Sequence, residues 1–261
     1  MGTKLSLTQI GEVLAMDFDY IEQGDCLELM KKIPDGCIDM ILCDPPYGIN
    51  YVSKRRIKSK AFAPLSNDKY PAVSFIPDML KKLKPTGAAY IFARWDTQQA
   101  FIDAIEQTGR QVKSVIVWDK GNHSAGDLRR AYGNRYESII FSPGPEFIFP
   151  GKRPVNIVSY PRIHSSKLVH PTEKPVGLLE KLILDCTKEG DVILDPTMGS
   201  GSTCVAAINT GRHYIGFELD SQYFEIACQR LDEDALTIPV RKRTRGFRPS
   251  TSCNAKMDEE E

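Results

Sequence analysis

Residues 191–218 read DVILDPTMGSGSTCVAAINTGRHYIGFE. A short apolar run ends at Asp195, and Gly199 and Gly201 mark a turn. A helical stretch then runs from Ser202 to Asn209, and a second apolar run, His213 to Phe217, leads to Glu218. Short apolar runs flanked by turn residues suit strands covered on both faces. In an open α/β sheet a ligand sits at the carboxyl ends of such strands. Glycines there allow close approach of the backbone, and an acid on the next strand can accept hydrogen bonds from both ribose hydroxyls. The pattern is GxG without the third glycine, since position 204 is Cys. That disfavours a pyrophosphate on the helix N-terminus and suits a nucleoside-bearing cofactor without phosphates, which the carboxylate of Asp195 would repel. A tight strand-to-helix turn with no ligand is the simpler alternative.

Working outward, the same alternation spans about residues 20 to 233. Helices are expected at Cys26–Ile33, Ala72–Leu83, Thr97–Gln107, Pro175–Thr187 and Asp220–Leu231, with proline opening the fourth. Strands are expected at Ile38–Cys43, Ala88–Ala93, Val112–Trp118, Glu137–Ser142, Val155–Tyr160 and Asp191–Asp195, with His213–Phe217 closing the series. Strands alternating with helices of this length predict an α/β protein with a doubly wound, mainly parallel sheet and helices on both faces. Residues 119–135 are polar and without period. From Pro239 the core pattern stops in a basic run, Arg241, Lys242, Arg243, Arg245 and Arg248, and an acidic end, Asp258 to Glu261. The chain therefore divides into a domain over 1–235 and a charged tail over 236–261.

Composition excludes several classes. Among 261 residues, 34 Lys+Arg balance 34 Asp+Glu, and 41% are hydrophobic, which rules out a polycation and a disordered chain. The 7 cysteines, at 26, 37, 43, 186, 204, 228 and 253, are odd in number and form no CxxC pair. They predict reduced thiols in a cytoplasmic protein, without a disulfide framework or a metal site. No apolar stretch reaches the length of a membrane span, and Met1 to Glu12 lacks the layout of a signal peptide. Met1-Gly2 with Ser6 matches the myristoylation pattern, which is short enough to arise by chance. His123, His164 and His213 lack ligand spacing, and packing is the default role for Trp95 and Trp118.

Directly after the apolar run 38–43 (IDMILC) stands Asp44-Pro45-Pro46-Tyr47. Prolines deny backbone donors and hold the chain extended, so neighbouring carbonyls stay free to accept. Asp44 adds a carboxylate acceptor and Tyr47 an aromatic face. Acceptors beside a stacking ring are what an exocyclic amino group on a planar base requires, with its two N–H bonds directed at Asp44 and the Pro45 carbonyl.

DPPY together with DPTMGSG resembles the S-adenosylmethionine-dependent DNA amino-methyltransferases, which methylate the exocyclic nitrogen of adenine or cytosine. The order, DPPY first and the glycine motif last, is similar to the beta group of that family. His170-Pro171-Thr172-Glu173-Lys174-Pro175 resembles its HPTxKP segment, and Gly24-Asp25 its GD segment. The resemblance implies a Rossmann-like methyltransferase fold with S-adenosyl-L-methionine as cofactor. It implies Asp44, Pro45, Pro46 and Tyr47 as catalytic residues. It implies cofactor contacts from Asp25, beside the adenine, from His170 and Lys174, near the methionine part, and from Asp195, Gly199, Gly201 and Glu218, with no metal. Two positions depart from the family pattern. Thr197 stands where an aromatic is usual, and Glu173 where Gln is usual.

The implied substrate is double-stranded DNA, from which the base must be flipped to be reached. Lys54, Arg55, Arg56, Lys58 and Lys60 follow DPPY and would hold phosphates. The stretch 119–154, with His123, Arg129, Arg130 and Arg135, is the candidate target-recognition insertion, and Arg241–Arg248 is a weaker contact candidate. A homodimer and a partner restriction endonuclease are left open. Asp44 favours adenine, since family members with Ser there are more often cytosine enzymes. The alternatives are a cytosine amino-methyltransferase, a protein-glutamine methyltransferase (which resembles NPPY and keeps the other motif order), a catalytically silent nucleic-acid binder, and a nicotinamide dehydrogenase.

Overall fold

A computed structural model of the chain describes residues 18–48, 71–123, 129–163 and 173–237. Its strands are β1 (Tyr20–Gln23), β2 (Ile38–Cys43), β3 (Leu83–Ala93), β4 (Ser114–Asp119), β5 (Tyr136–Pro143), β6 (Ile157–Ser159), β7 (Val192–Asp195) and β8 (His213–Glu218). They form one sheet in the order β1-β8-β7-β2-β3-β5-β4-β6. Neighbours pair in parallel except β5, which runs antiparallel to both β3 and β4. The helices are α1 (Cys26–Leu29), α2 (Ile76–Lys81), α3 (Gln98–Glu106), α4 (Val176–Cys186), α5 (Ser202–Thr210) and α6 (Ser221–Thr237). Every residue of β7 is buried, and in β2 only Asp39 is not, so both faces of the central strands are covered. This is the doubly wound, mainly parallel sheet that the alternation predicts.

Strand order reverses between β7 and β2. From β7 the chain winds outward through β8, and from β2 through β3; β1 then pairs with the far side of β8. The carboxyl ends of β2, β7, β8 and β1 thus open on one crevice, the position where doubly wound sheets hold ligands.

Several elements differ from expectation, each for a local reason. The strand β1 was not anticipated, because a four-residue half-buried edge strand has no length over which to show alternation. Cys26–Ile33 is α-helical only to Leu29 and then tightens into a 3-10 turn over Met30–Lys32, with Pro34 close behind. Ala72–Leu83 contracts to Ile76–Lys81. At its start, Ala72 N–H donates to the Pro46 carbonyl at 3.0 Å and Pro71 bridges Tyr47, so that backbone is tied to DPPY. At its end, Leu83 already pairs with Ile38 in the sheet. The strand expected at Glu137–Ser142 is present as Tyr136–Pro143, in the interior of the sheet. Trp95 is 55% exposed rather than packed, whereas Trp118 is buried and donates its indole N–H to the Tyr160 carbonyl at 2.8 Å. Among the described residues no helix is long and apolar enough to cross a membrane.

The β2–β3 register shifts between Ile38 and Met40, and Gly87 lies opposite that irregularity. A Cβ at Gly87 would fall 2.6 Å from the Asp39 carbonyl oxygen. Backbone cannot yield as a side chain does, so Gly87→Ala is expected to destabilise the fold by about 1–3 kcal/mol. Urea unfolding checks this, and a midpoint equal to that of the wild type would contradict it.

Candidate active site

Pairing of β2 with β7 runs Met40 to Ile193 and Ile41 to Leu194. Continued along both strands, that register sets the Cys43-Asp44 tip beside the Asp195-Pro196-Thr197 tip, and Cys43 Sγ lies 3.4 Å from Thr197 Oγ1. A cavity of about 380 Å³ opens above these tips. It is lined by Asp25, Asp44, Pro45, Pro46, Tyr47, Lys174, Asp195, Gly199 and Glu218. Two segments far apart in sequence, DPPY and the glycine turn, therefore share one space.

Two expected residues stand apart from this set. Gly201 does not line the cavity. Its φ of +78° caps α5, and a Cβ there would meet the Ala227 Cβ at 3.2 Å, so it serves the turn and the approach of α6. His170 lies outside the described residues, as do Lys54, Arg55, Arg56, Lys58, Lys60, His164 and the Arg241–Arg248 run. His213 lies away from the cavity lining, with Nδ1 2.8 Å from Asp19 Oδ2.

Both oxygens of Asp44 are engaged. Oδ1 accepts the Tyr47 hydroxyl at 2.5 Å and Oδ2 accepts the Lys174 ammonium at 2.5 Å. Burial raises Asp44, and Lys174 only partly offsets that. Burial, followed by the nearby Asp44, pushes the Tyr47 hydroxyl far up, so it stays protonated and donates. Burial would lower Lys174, but Asp44 and Glu137 on either side outweigh it and hold the ammonium charged. The Lys174 ammonium also lies 5.0 Å from the Phe92 ring centre and 5.7 Å from that of Tyr47.

On the other side of the cavity, Glu218 at the β8 tip accepts the Gly199 N–H at 2.9 Å and the Asp220 N–H at 2.8 Å. Gly24 N–H donates to the Glu218 carbonyl at 2.8 Å, which joins the β1 tip to it. Asp25 caps α1 by accepting the Leu27 N–H at 2.9 Å. Asp195 accepts the Thr197 N–H at 3.1 Å, and its other stabilising partner is the Thr203 side chain. Burial pushes its carboxyl up to about 7. Among the described residues no Lys, Arg or His forms an ion pair with Asp195.

Three partnerships were missed from sequence. Glu137, the first acidic residue of β5, lies against Lys174 at 3.4 Å and also binds Lys120. The signal available was the one charged residue in a mostly buried strand. Glu173 is held by Arg230 of α6 at 2.8 Å, and Arg230 also reaches the Ser202 hydroxyl at 3.1 Å. This ties the segment before α4 to the glycine turn. Tyr223 of α6 closes one wall of the cavity.

The cavity lies in the size range of cofactor pockets, roughly 300–1,000 Å³. Glu218 stands at a strand tip with two carboxylate oxygens, and Asp195 is a buried carboxyl without a cation. A ligand that offers hydroxyl donors at one end and a positive charge at the other fits this donor and acceptor set.

A family model described as DNA methylase matches residues 38–152 and 152–229. The candidate methylase YubD of Escherichia coli (strain K12) is 34% identical over 212 residues, covering 80% of this chain and 88% of that protein. The DNA adenine methyltransferase YhdJ of the same organism is 30% identical over 248 residues, covering 81% and 82%. Among solved structures, the M1.HpyAVI–SAM complex superimposes with a TM-score of 0.62 at 26% identity, over 80% of this chain and 98% of that one. The cytosine-N4-specific PvuII DNA methyltransferase superimposes with a TM-score of 0.66 at 18% identity, over 82% and 86%, which is a likeness of fold.

The folded-state value of Asp195 lies above that of an unfolded aspartate, near 4. Holding it ionised therefore costs stability, nothing below about pH 4 and on the order of 4 kcal/mol above about pH 7. Asp195→Asn is expected to raise the melting temperature of the ligand-free protein at pH 8, a gain that shrinks as pH falls to 5. Melting curves across that range decide, and a lower melting temperature at pH 8 would refute the reasoning.

Proposed function

The chain belongs to the DNA methylase family, and from that premise we propose that it transfers a methyl group from S-adenosyl-L-methionine to the exocyclic amine of adenine in double-stranded DNA. The observation that carries this reading is the single cavity lined both by Asp44-Pro45-Pro46-Tyr47 and by Asp195, Gly199 and Glu218. Bound there, S-adenosyl-L-methionine supplies the sulfonium methyl that the amine nitrogen takes, with the C–S electron pair staying on sulfur.

The chain's own residues do the rest. Glu218 and Asp25 hold the nucleoside end, and Asp195 faces positive charge. Asp44, with the Pro45 carbonyl, accepts the amine N–H bonds, which aims the nitrogen lone pair at the methyl carbon. After transfer the amine carries a positive charge, and Asp44 or water takes its surplus proton. Tyr47 lines the space for a base swung out of the duplex and fixes Asp44 through its hydroxyl.

DNA contact has independent support. The basic segment after DPPY begins at Gly48 and returns at Pro71, where Pro71 bridges Tyr47, so both its described ends meet beside the cavity. The connection from β4 to β5, at the same end of the sheet, carries Arg129, Arg130 and a fully exposed Tyr132, and we assign target recognition to residues 119–135. Adenine is favoured by Asp44 and by the name of the relative YhdJ. Cytosine is the second reading, favoured by the fold likeness to the cytosine-N4-specific enzyme.

Incubation with labelled S-adenosyl-L-methionine and unmethylated genomic DNA, followed by nucleoside analysis, tests the proposal. N6-methyladenine is expected, N4-methylcytosine would transfer the reading to the alternative, and no label in DNA would refute both. Asp44→Ala is expected to lower transfer by at least about a thousandfold while cofactor affinity stays within a few-fold, as when a transition-state contact is removed. Titration calorimetry beside the activity assay checks the split, and parallel loss of both would make Asp44 a cofactor residue.

A further inference from the structure

Lys174 places a buried positive charge next to Asp44, which works against the proposed chemistry. The amine gains positive charge as it takes the methyl group, and an ammonium 2.5 Å from the accepting carboxylate opposes that change and cancels the carboxylate's field. A third charge answers it. Glu137 sits across Lys174 from Asp44, its Oε1 on Lys120. Its Oε2 is shut away from solvent 3.4 Å from Lys174 Nζ without a well-formed hydrogen bond. Burial would push Glu137 up, but the two lysines outweigh it and bring it below its ordinary value, so it is ionised at neutral pH.

We propose that Glu137 is a positioning residue for methyl transfer: it is the counter-ion of Lys174, and it receives that ammonium on Oε2 so that Asp44 faces the incoming amine with its negative charge uncancelled. The inference rests on the methyltransferase reading above. The inner triad, one ammonium between two carboxylates, carries a net charge of about −1, whereas without Glu137 it carries none. Lys120 lies on the outer side of Glu137, half-buried over the Trp118 ring at 5.1 Å, and holds that carboxylate in place rather than facing Asp44. Phe92 and Tyr47 flank Lys174, so the path between the two carboxylates is bordered by ring faces that tolerate a cation. The charged and titratable groups around Asp44 are Lys174, Glu137, Tyr47, Asp195 and Cys43, and those around Glu137 are Lys174, Lys120, Asp44 and Tyr47.

The test is Glu137→Gln in the full chain, read by single-turnover methylation of duplex DNA from pH 5 to 9 and by calorimetry with S-adenosyl-L-methionine. The expected rate at pH 8 falls roughly 10- to 100-fold, with cofactor affinity within a few-fold. The carboxylate of Glu137 raises Asp44 and its loss leaves Lys174 to Asp44 alone, so the acid limb of the rate profile moves to lower pH. A role in packing alone would lower the rate equally at every pH. Glu137→Gln combined with Lys174→Met should be no slower than Lys174→Met, because Glu137 acts through Lys174. An unmoved acid limb, an unchanged rate, or losses that multiply in the double variant would overturn the proposal while leaving an active wild type. A wild type that labels no DNA would instead overturn the function on which it rests.

Discussion

Parallel pairing of β2 with β7 is the constraint on which the site depends. These strands come from opposite ends of the chain, and their register sets Asp44 and Asp195 on adjacent tips. The pair is fixed at both ends. At the amino end, Asp39 accepts the Val192 N–H at 3.0 Å and binds Lys84 at 2.7 Å; at the carboxyl end, Cys43 meets Thr197. Since side chains alternate along a strand, a slip of one residue would turn each tip to the opposite face. Burial of all of β7 and of every residue of β2 but Asp39 penalises such a slip, because Asp39 would enter an apolar layer in place of Ile or Met and the paired tips would lose their partners.

Around those tips the protein gathers carboxylates and gives each a different environment. Glu218 is satisfied by backbone N–H groups, Asp44 by a phenol and an ammonium, and Glu137 by two lysines. Asp195, deeply buried, has no cation among the described residues, and its carboxyl sits near 7. Buried acceptors that outnumber nearby cations make a space suited to donors and to positive charge, and the reading of a sulfonium cofactor and a primary amine meeting there agrees with that field. The same acidity would repel a phosphate, in line with the missing third glycine.

The sheet was legible wherever a strand was long enough to display its character. Ile38–Cys43 and Asp191–Asp195 stood out because both faces are covered and the runs are nearly continuous in apolar residues, broken only by Asp39 in the first and bounded by aspartates in the second. The short edge strand β1 carried no such signal, and α2 was overestimated because helical spacing cannot register that residues 71 and 72 are bonded to Pro46 and Tyr47. Trp95 was misjudged for a related reason. Its apolar ring predicts burial, yet it sits in the turn after β3, where an ion pair between Arg94 and Asp96 at 2.7 Å closes the loop and the ring stays outside.

By itself the sequence determined which chemistry was available: an acid with two prolines and a tyrosine after one buried strand, a glycine turn after another, and an acid at the end of a third. These are local properties, set by residue type and short spacing. Only the tertiary structure decided which charges meet. Gly201 turned out to serve helix packing, Lys174 came to rest on Asp44, and Glu137 proved to be its partner. Such pairings depend on strand order and on an antiparallel β5 inserted between β3 and β4, which delivers Glu137 to the carboxyl end of the parallel strands. Burial then multiplies the strength of those contacts, and neither burial nor strand order is a property of any short stretch of chain.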